Sequence, residues 1–172
     1  MEVSIKKLAL VTGLSLGLLA LPVAHGEGES DGMTVLMNGN FVTADPENIK
    51  WVPNKSAPYG MHMVLLYGNP SQPGPYIFRA KMPSGYKLPP HKHPDERTVT
   101  VLKGTYWAGV GERYNPMAMK EFQVGAFYTT KANVPHFAWA RTEVIIQEMG
   151  MGLDPSAKSI EYVNPDDDPR NN

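Results

Sequence analysis

Arg97-Thr98-Val99-Thr100-Val101-Leu102-Lys103, a Lys103-Gly104 turn signal and Tyr106-Trp107-Ala108-Gly109-Val110 form the stretch that decides the fold. Two short runs rich in β-branched and aromatic residues, separated by a glycine turn, read as consecutive antiparallel strands. The same pattern recurs outward in both directions. Met33 to Met37, Met61 to Tyr67, Tyr76 to Met82, Ala126 to Thr130, His136 to Ala140 and Val144 to Met149 are further runs of this kind. Gly68-Asn69-Pro70, Pro73-Gly74-Pro75 and Pro83-Ser84-Gly85 punctuate them, and such clusters mark turns. No twelve-residue window carries the 3.6-residue apolar stripe of an amphipathic helix. Many short strands without helices must close into a barrel or a double-sheet jelly roll, which buries one face and protects the edges. The expected class is therefore all-β, in one domain.

Composition narrows the function. The chain has 172 residues, 42% of them hydrophobic, enough for one substantial core. Its 16 basic and 17 acidic residues give a formal net charge of -1 with no long basic tract, so nothing marks a nucleic-acid partner. With no cysteine, disulfides, cysteine-zinc sites and thiol nucleophiles are excluded. A metal would rest on His, carboxylate or Met.

The N-terminus reads as a targeting segment. Lys6 and Lys7 precede an apolar stretch from Leu8 to Val23, interrupted by Gly13, Ser15, Gly17 and Pro22, and Ala24-His25-Gly26 supplies small residues at a cleavage site. The run is shorter than the roughly 20 residues a spanning helix needs. Residues 1–26 are expected to be a signal peptide cleaved after Gly26, giving a periplasmic or secreted product with no membrane attachment. Residues 27–59 form a loop-rich approach, 60–155 the barrel core and 156–172 a C-terminal strap.

Three of the five histidines concentrate the chemistry. His91 and His93 stand two apart after Pro89-Pro90, so in an extended chain both imidazoles leave one face. His136 opens another expected strand after Asn133-Val134-Pro135, where a turn can deliver it beside the pair. Three neutral imidazoles suit Fe, Cu, Zn, Mn or Ni. By spacing alone, the alternative is an exposed pair and a separate core histidine.

Gly85, His91-Lys92-His93, Arg97 and Gly104 stand at the spacing G-x5-H-x-H-x3-E-x6-G, and Gly125, Lys131, Asn133, His136 and Ala140 at G-x5-P-x-G-x2-H-x3-N. This resembles the two signatures of the cupin superfamily. The likeness extends over roughly residues 60–170, through Gly68 to Pro75, His93-Pro94-Asp95-Glu96-Arg97, Thr98 to Thr105, His136-Phe137-Ala138 and Tyr162 to Arg170, to cupin proteins of largely unassigned function. It implies a jelly-roll β-barrel, one divalent transition metal at its mouth on His91, His93 and His136, a small-molecule substrate or ligand, and a possible homodimer.

The departures from that pattern bear on function. Arg97 stands where many cupins place a glutamate ligand, and a guanidinium has no lone pair to give. Glu96 is the nearest substitute as fourth ligand or acid/base group, although strand alternation turns it away from His93 unless a bulge intervenes. An inward Arg97 can hold a substrate carboxylate or phosphate; an outward one makes a rim ion pair with Asp95, Glu96 or Glu112. Asn133 replaces a glycine and tolerates positive φ. Phe78, Trp107, Phe127, Tyr128, Phe137 and Trp139 are candidates for the cavity wall or for ordinary packing, with Trp107, Tyr128, Phe137 and Trp139 as substrate-binding candidates beside Arg97.

A three-histidine site leaves coordination positions open, so iron or copper points to an oxygenase and zinc, manganese or nickel to an isomerase or hydrolase. Two non-catalytic readings compete. One is a cupin that binds a ligand without turnover. The other is a copper carrier using Met61-His62-Met63, Met117-Ala118-Met119 and Met149-Gly150-Met151, whose thioethers suit Cu(I).

Overall fold

The computed structural model describes residues 36–38, 41–154 and 156–171. The signal peptide expected at residues 1–26 lies outside the described residues. The strands are β1 (Leu36–Asn38), β2 (Phe41–Thr43), β3 (Val52–Pro53), β4 (His62–Tyr67), β5 (Gly74–Met82), β6 (Lys87–Lys92), β7 (Arg97–Lys103), β8 (Tyr106–Val110), β9 (Lys120–Phe122), β10 (Phe127–Thr130), β11 (His136–Ala140), β12 (Val144–Gly152) and β13 (Glu161–Tyr162). Apart from the small β1-β2 ribbon they form two sheets, ordered β10-β7-β12-β5-β4-β3 and β13-β6-β11-β8-β9. Every pairing is antiparallel. Among the described residues, helix is confined to four short 3-10 turns. This is the all-β jelly roll that the recurrent runs imply.

The core lies between the sheets because each strand alternates its apolar side chains inward. Tyr76, Phe78, Ala80 and Met82 of β5, Val99 and Val101 of β7, and Val144 and Ile146 of β12 are buried from one sheet. Tyr106 of β8 and Ala138 and Ala140 of β11 meet them from the other in one hydrophobic cluster. Full burial of a Val, Ile or Phe side chain contributes roughly 1.5–3 kcal/mol each, so this two-sided interior dominates stability.

The β7-β8 turn works because Gly104 adopts φ +81°, a region L side chains rarely enter, and because any Cβ there would strike the Glu143 carbonyl oxygen. Asn133 is the one non-glycine residue with positive φ among those described, at 61°, as its place in the second signature suggests. Its turn leads into His136.

Strands β2, β3, β6, β9 and β13 fall outside the runs expected from sequence. β6 is the important omission, since Pro89 and Pro90 argue against a strand by lacking an N–H to donate. The β11-β6 pairing accommodates them with a register shift: His136 faces His91, while Ala138 faces Leu88. The four residues from Leu88 to His91 thus match three on β11, so the prolines sit in a β-bulge, where the missing donors cost little.

Candidate metal centre

The bulge sets which side chains reach the interior. Leu88 points into the barrel, and simple alternation from it would send Pro90 and Lys92 inward. The extra residue shifts that phase, so Leu88, His91 and His93 all line one cavity. His136 joins them from β11, directly opposite His91. The three residues are 2%, 7% and 6% exposed. Ring centroids lie 4.9 Å apart for His91 and His93, 4.2 Å for His91 and His136, and 5.1 Å for His93 and His136.

Each Nδ1 faces a backbone carbonyl: His91 to Pro89 O at 2.7 Å, His93 to Ser159 O at 2.7 Å, and His136 to Val134 O at 2.9 Å. A carbonyl only accepts, so each Nδ1 carries the proton and each Nε2 presents a lone pair. One ligand atom from each histidine lies within 4.8 Å of the others. Burial, then the charges of His136 and Arg97, holds His91 well below the usual imidazole range despite its bond to Pro89. Burial, with Arg97 and the other two imidazoles, does the same to His93, and burial chiefly lowers His136. Neutral rings with fixed tautomers and converging lone pairs fit a divalent transition metal, and the three buried histidines can hold one.

Arg97 continues the inward phase of Val99 and Val101 and is 5% exposed. Its Nε donates to Asp95 Oδ1 at 3.1 Å, its Nη1 to Glu148 Oε1 at 2.7 Å, and its Nη2 to Ser159 O at 2.6 Å. Tyr76 donates its hydroxyl to Asp95 Oδ2 at 2.5 Å. Burial opposes charge on the guanidinium, but Glu148, Tyr76 and Asp95 outweigh it and hold Arg97 protonated more firmly than usual. The carbonyl of Ser159 receives both Arg97 and His93, so one strap residue couples the ion-pair network to a candidate ligand.

Glu148 was not singled out from sequence, yet it lines the cavity and is 8% exposed. The signal for it is an acidic residue in phase with the buried Val144 and Ile146. It reaches Arg97 because β12 pairs with β7 in a register that sets Glu148 against Val99 and Gly150 against Arg97, a diagonal that long side chains span.

The remaining candidates separate clearly. Glu96 points outward: it pairs with Lys131 Nζ at 2.8 Å across an exposed surface and lies outside the histidine cluster. Arg97 is a buried ion-pair residue joined to Asp95 and Glu148, with no rim bridge to Glu96 or Glu112. Tyr128 and Phe78 line the cavity, whereas Phe127 is 66% exposed. Trp107 and Trp139 form a cross-strand pair with the Arg141 guanidinium over both rings, and neither borders the cavity. Phe137 is buried against Tyr114 and likewise does not line it. Strand alternation explains the two tryptophans, since their neighbours Tyr106, Ala138 and Ala140 take the inward phase.

The methionine pairs do not assemble. Met61 and Met63 line the cavity, but Met117, Met149 and Met151 are exposed. His62 is half-buried with Nδ1 at 3.3 Å from Gly60 O, away from the cluster.

The cavity has a volume of about 240 Å³. Met61, Met63, Phe78, Leu88, Ile146 and Ile160 give it an apolar wall, while the histidines, Arg97, Glu148, Tyr106 and Tyr128 supply its polar groups. The two rings stack with centroids 6.4 Å apart, and burial raises both hydroxyls well above the usual phenol range. A second cavity of about 470 Å³ shares His136 and Tyr128 with the first.

No protein-family model and no curated protein sequence matches the chain. Solved structures do. A putative ethanolamine utilization protein from Salmonella typhimurium superposes with a TM-score of 0.58 at 11% identity, over 69% of this chain and 93% of that one. An RmlC-like cupin from Shewanella frigidimarina gives 0.53 at 15% identity, over 64% and 89%. The DMSP lyase DddQ from Ruegeria pomeroyi gives 0.52 at 15% identity, over 66% and 60%. With two antiparallel sheets closed on one core and the histidines gathered between them, the chain has the cupin jelly-roll fold.

Proposed function

We propose that the protein is an exported, metal-dependent enzyme that oxygenates a small chelating molecule. The observation that carries this reading is the convergence of three neutral imidazoles with no carboxylate in their cluster, which leaves coordination positions for substrate and dioxygen. A bound iron or copper ion would supply Lewis acidity and electron transfer to dioxygen. The chain's own residues do the rest. Pro89, Val134 and Ser159 carbonyls orient the imidazoles, Arg97 fixes Glu148, and Phe78, Leu88, Ile146 and Ile160 keep water from the substrate.

A second reading, metal-dependent isomerisation or elimination, is favoured by one observation: Glu148 brings a carboxylate to the cavity wall, where it can accept a proton from a bound molecule. The DMSP lyase among the structural neighbours supports the compatibility of this fold with such chemistry, though its substrate does not transfer at 15% identity.

Metal content measured on protein recovered from a bacterial periplasm tests the proposal, beside a His91→Ala/His93→Ala control. About one equivalent of iron or copper, lost in the control and accompanied by dioxygen uptake with phenolic or keto-acid substrates, is the expected result. Zinc, manganese or nickel without dioxygen uptake moves the reading to isomerisation. A protein that takes no metal after controlled reloading overturns both and leaves ligand binding by a metal-free barrel.

A further inference from the structure

The buried charges beside the histidines do not balance. Asp95, Arg97 and Glu148 are 5%, 5% and 8% exposed, and two carboxylates against one guanidinium leave one net negative charge. The only other buried charged residue among those described, Asp168, has its own partner in Arg170. Uncompensated charge in an apolar interior is expensive. A divalent cation on three neutral imidazoles turns the surplus into one positive charge, and no other ionised side chain lines the cavity. A ligand carrying one negative charge brings the site to neutrality.

Glu148 adds a second criterion. Arg97 occupies Oε1, and no described residue donates to Oε2. The residue borders the cavity together with His136, Tyr106 and Tyr128. A carboxylate oxygen fixed by an ion pair and lacking a donor accepts a hydrogen bond from what occupies the cavity.

We infer that the cavity selects small monoanionic oxygen chelators that carry a hydroxyl beside the anionic group, with Glu148 as the residue that reads the hydroxyl. The apolar wall sets the rest of the ligand, which is aliphatic or aromatic and sized for about 240 Å³. Glu148 is thus a specificity residue whose orientation depends on Arg97. This inference rests on the three histidines holding a metal.

The test uses the whole exported chain loaded with cobalt(II), whose visible absorption reports the metal's surroundings. Calorimetry and the cobalt spectrum follow binding of mandelate, of phenylacetate, which lacks only the hydroxyl, and of mandelamide, which lacks the charge. One charge-assisted hydrogen bond predicts mandelate at least about tenfold tighter than phenylacetate, and mandelamide weaker than mandelate. Glu148→Gln sharpens the test. Arg97 has only donors, so it claims the amide oxygen and turns the amide NH2 toward the cavity, replacing an acceptor with a donor. The variant should keep one equivalent of cobalt and its near-ultraviolet circular dichroism, while the mandelate-to-phenylacetate ratio falls to about one. A wild-type ratio near one, or an unchanged ratio in a folded Glu148→Gln protein, overturns the inference and leaves the metal site standing. The wild-type comparison decides even if the variant does not fold. Cobalt that fails to bind, or binds equally to His91→Ala/His93→Ala, overturns the metal reading and this inference with it.

Discussion

Replacing Arg97 by methionine keeps most of the side chain's length and removes its charge and donors. Three contacts disappear, to Asp95 at 3.1 Å, Glu148 at 2.7 Å and Ser159 O at 2.6 Å. Side-chain exposures of 6%, 4% and 10% for Arg97, Asp95 and Glu148 leave little solvent to screen what remains. Removing one partner of a buried ion pair typically costs about 3–5 kcal/mol, because the other charge is stranded; here two carboxylates are stranded. For a chain of this size that cost lowers Tm by roughly 6–20 °C. Thermal melts of metal-free wild type and Arg97→Met measure it, and adding Asp95→Asn and Glu148→Gln should recover much of the loss. A deficit below about 1 kcal/mol, or one that the two carboxylate replacements do not reduce, would refute the view that Arg97 compensates buried carboxylates and assign it a packing role alone.

His136→Ala should abolish stoichiometric metal uptake, measured by mass spectrometry, whereas Met149→Leu/Met151→Leu on the exposed face should leave it intact. The depressed values of His91, His93 and His136 mean the unfolded chain binds more protons than the folded one below about pH 6.5. Metal-free protein should therefore be fully stabilised above that pH and lose Tm as pH falls, a trend that His91→Ala/His93→Ala should flatten. Gly150→Ala places a methyl group against Tyr76 Oη and Asp95 Oδ2, so it should destabilise the protein by about 1–3 kcal/mol in urea unfolding and disturb the Tyr76-Asp95-Arg97 chain. Tyr76→Phe, which removes the hydroxyl without adding bulk, should cost less, about 1–2 kcal/mol.

Strand content, the turn glycines and the spacing of His91, His93 and His136 are legible in the chain because they are local: alternating apolar runs, punctuation and a two-residue repeat need no distant partner. Even the inward direction of Arg97 is encoded in its phase with Val99 and Val101. Glu148 is written the same way, two residues beyond Ile146, but an acidic residue in an apolar phase acquires meaning only when its partner is known. That partner lies on β7, and the β7-β12 register brings the two together across 51 residues of sequence.

The histidine geometry is likewise shared between levels. Sequence by itself determined that His91 and His93 leave one face of an extended chain and that His136 begins a strand. The fold alone decided that this face is the inner one, because Pro89 and Pro90 fall opposite a register shift and the bulge reverses the alternation begun at Leu88. It also decided the tautomer of His93, through a carbonyl supplied from 66 residues away. Side-chain period is a property of the local chain, whereas phase relative to the core, ion-pair closure and hydrogen bonds to distant backbone depend on how strands register against one another, and only the closed barrel specifies that.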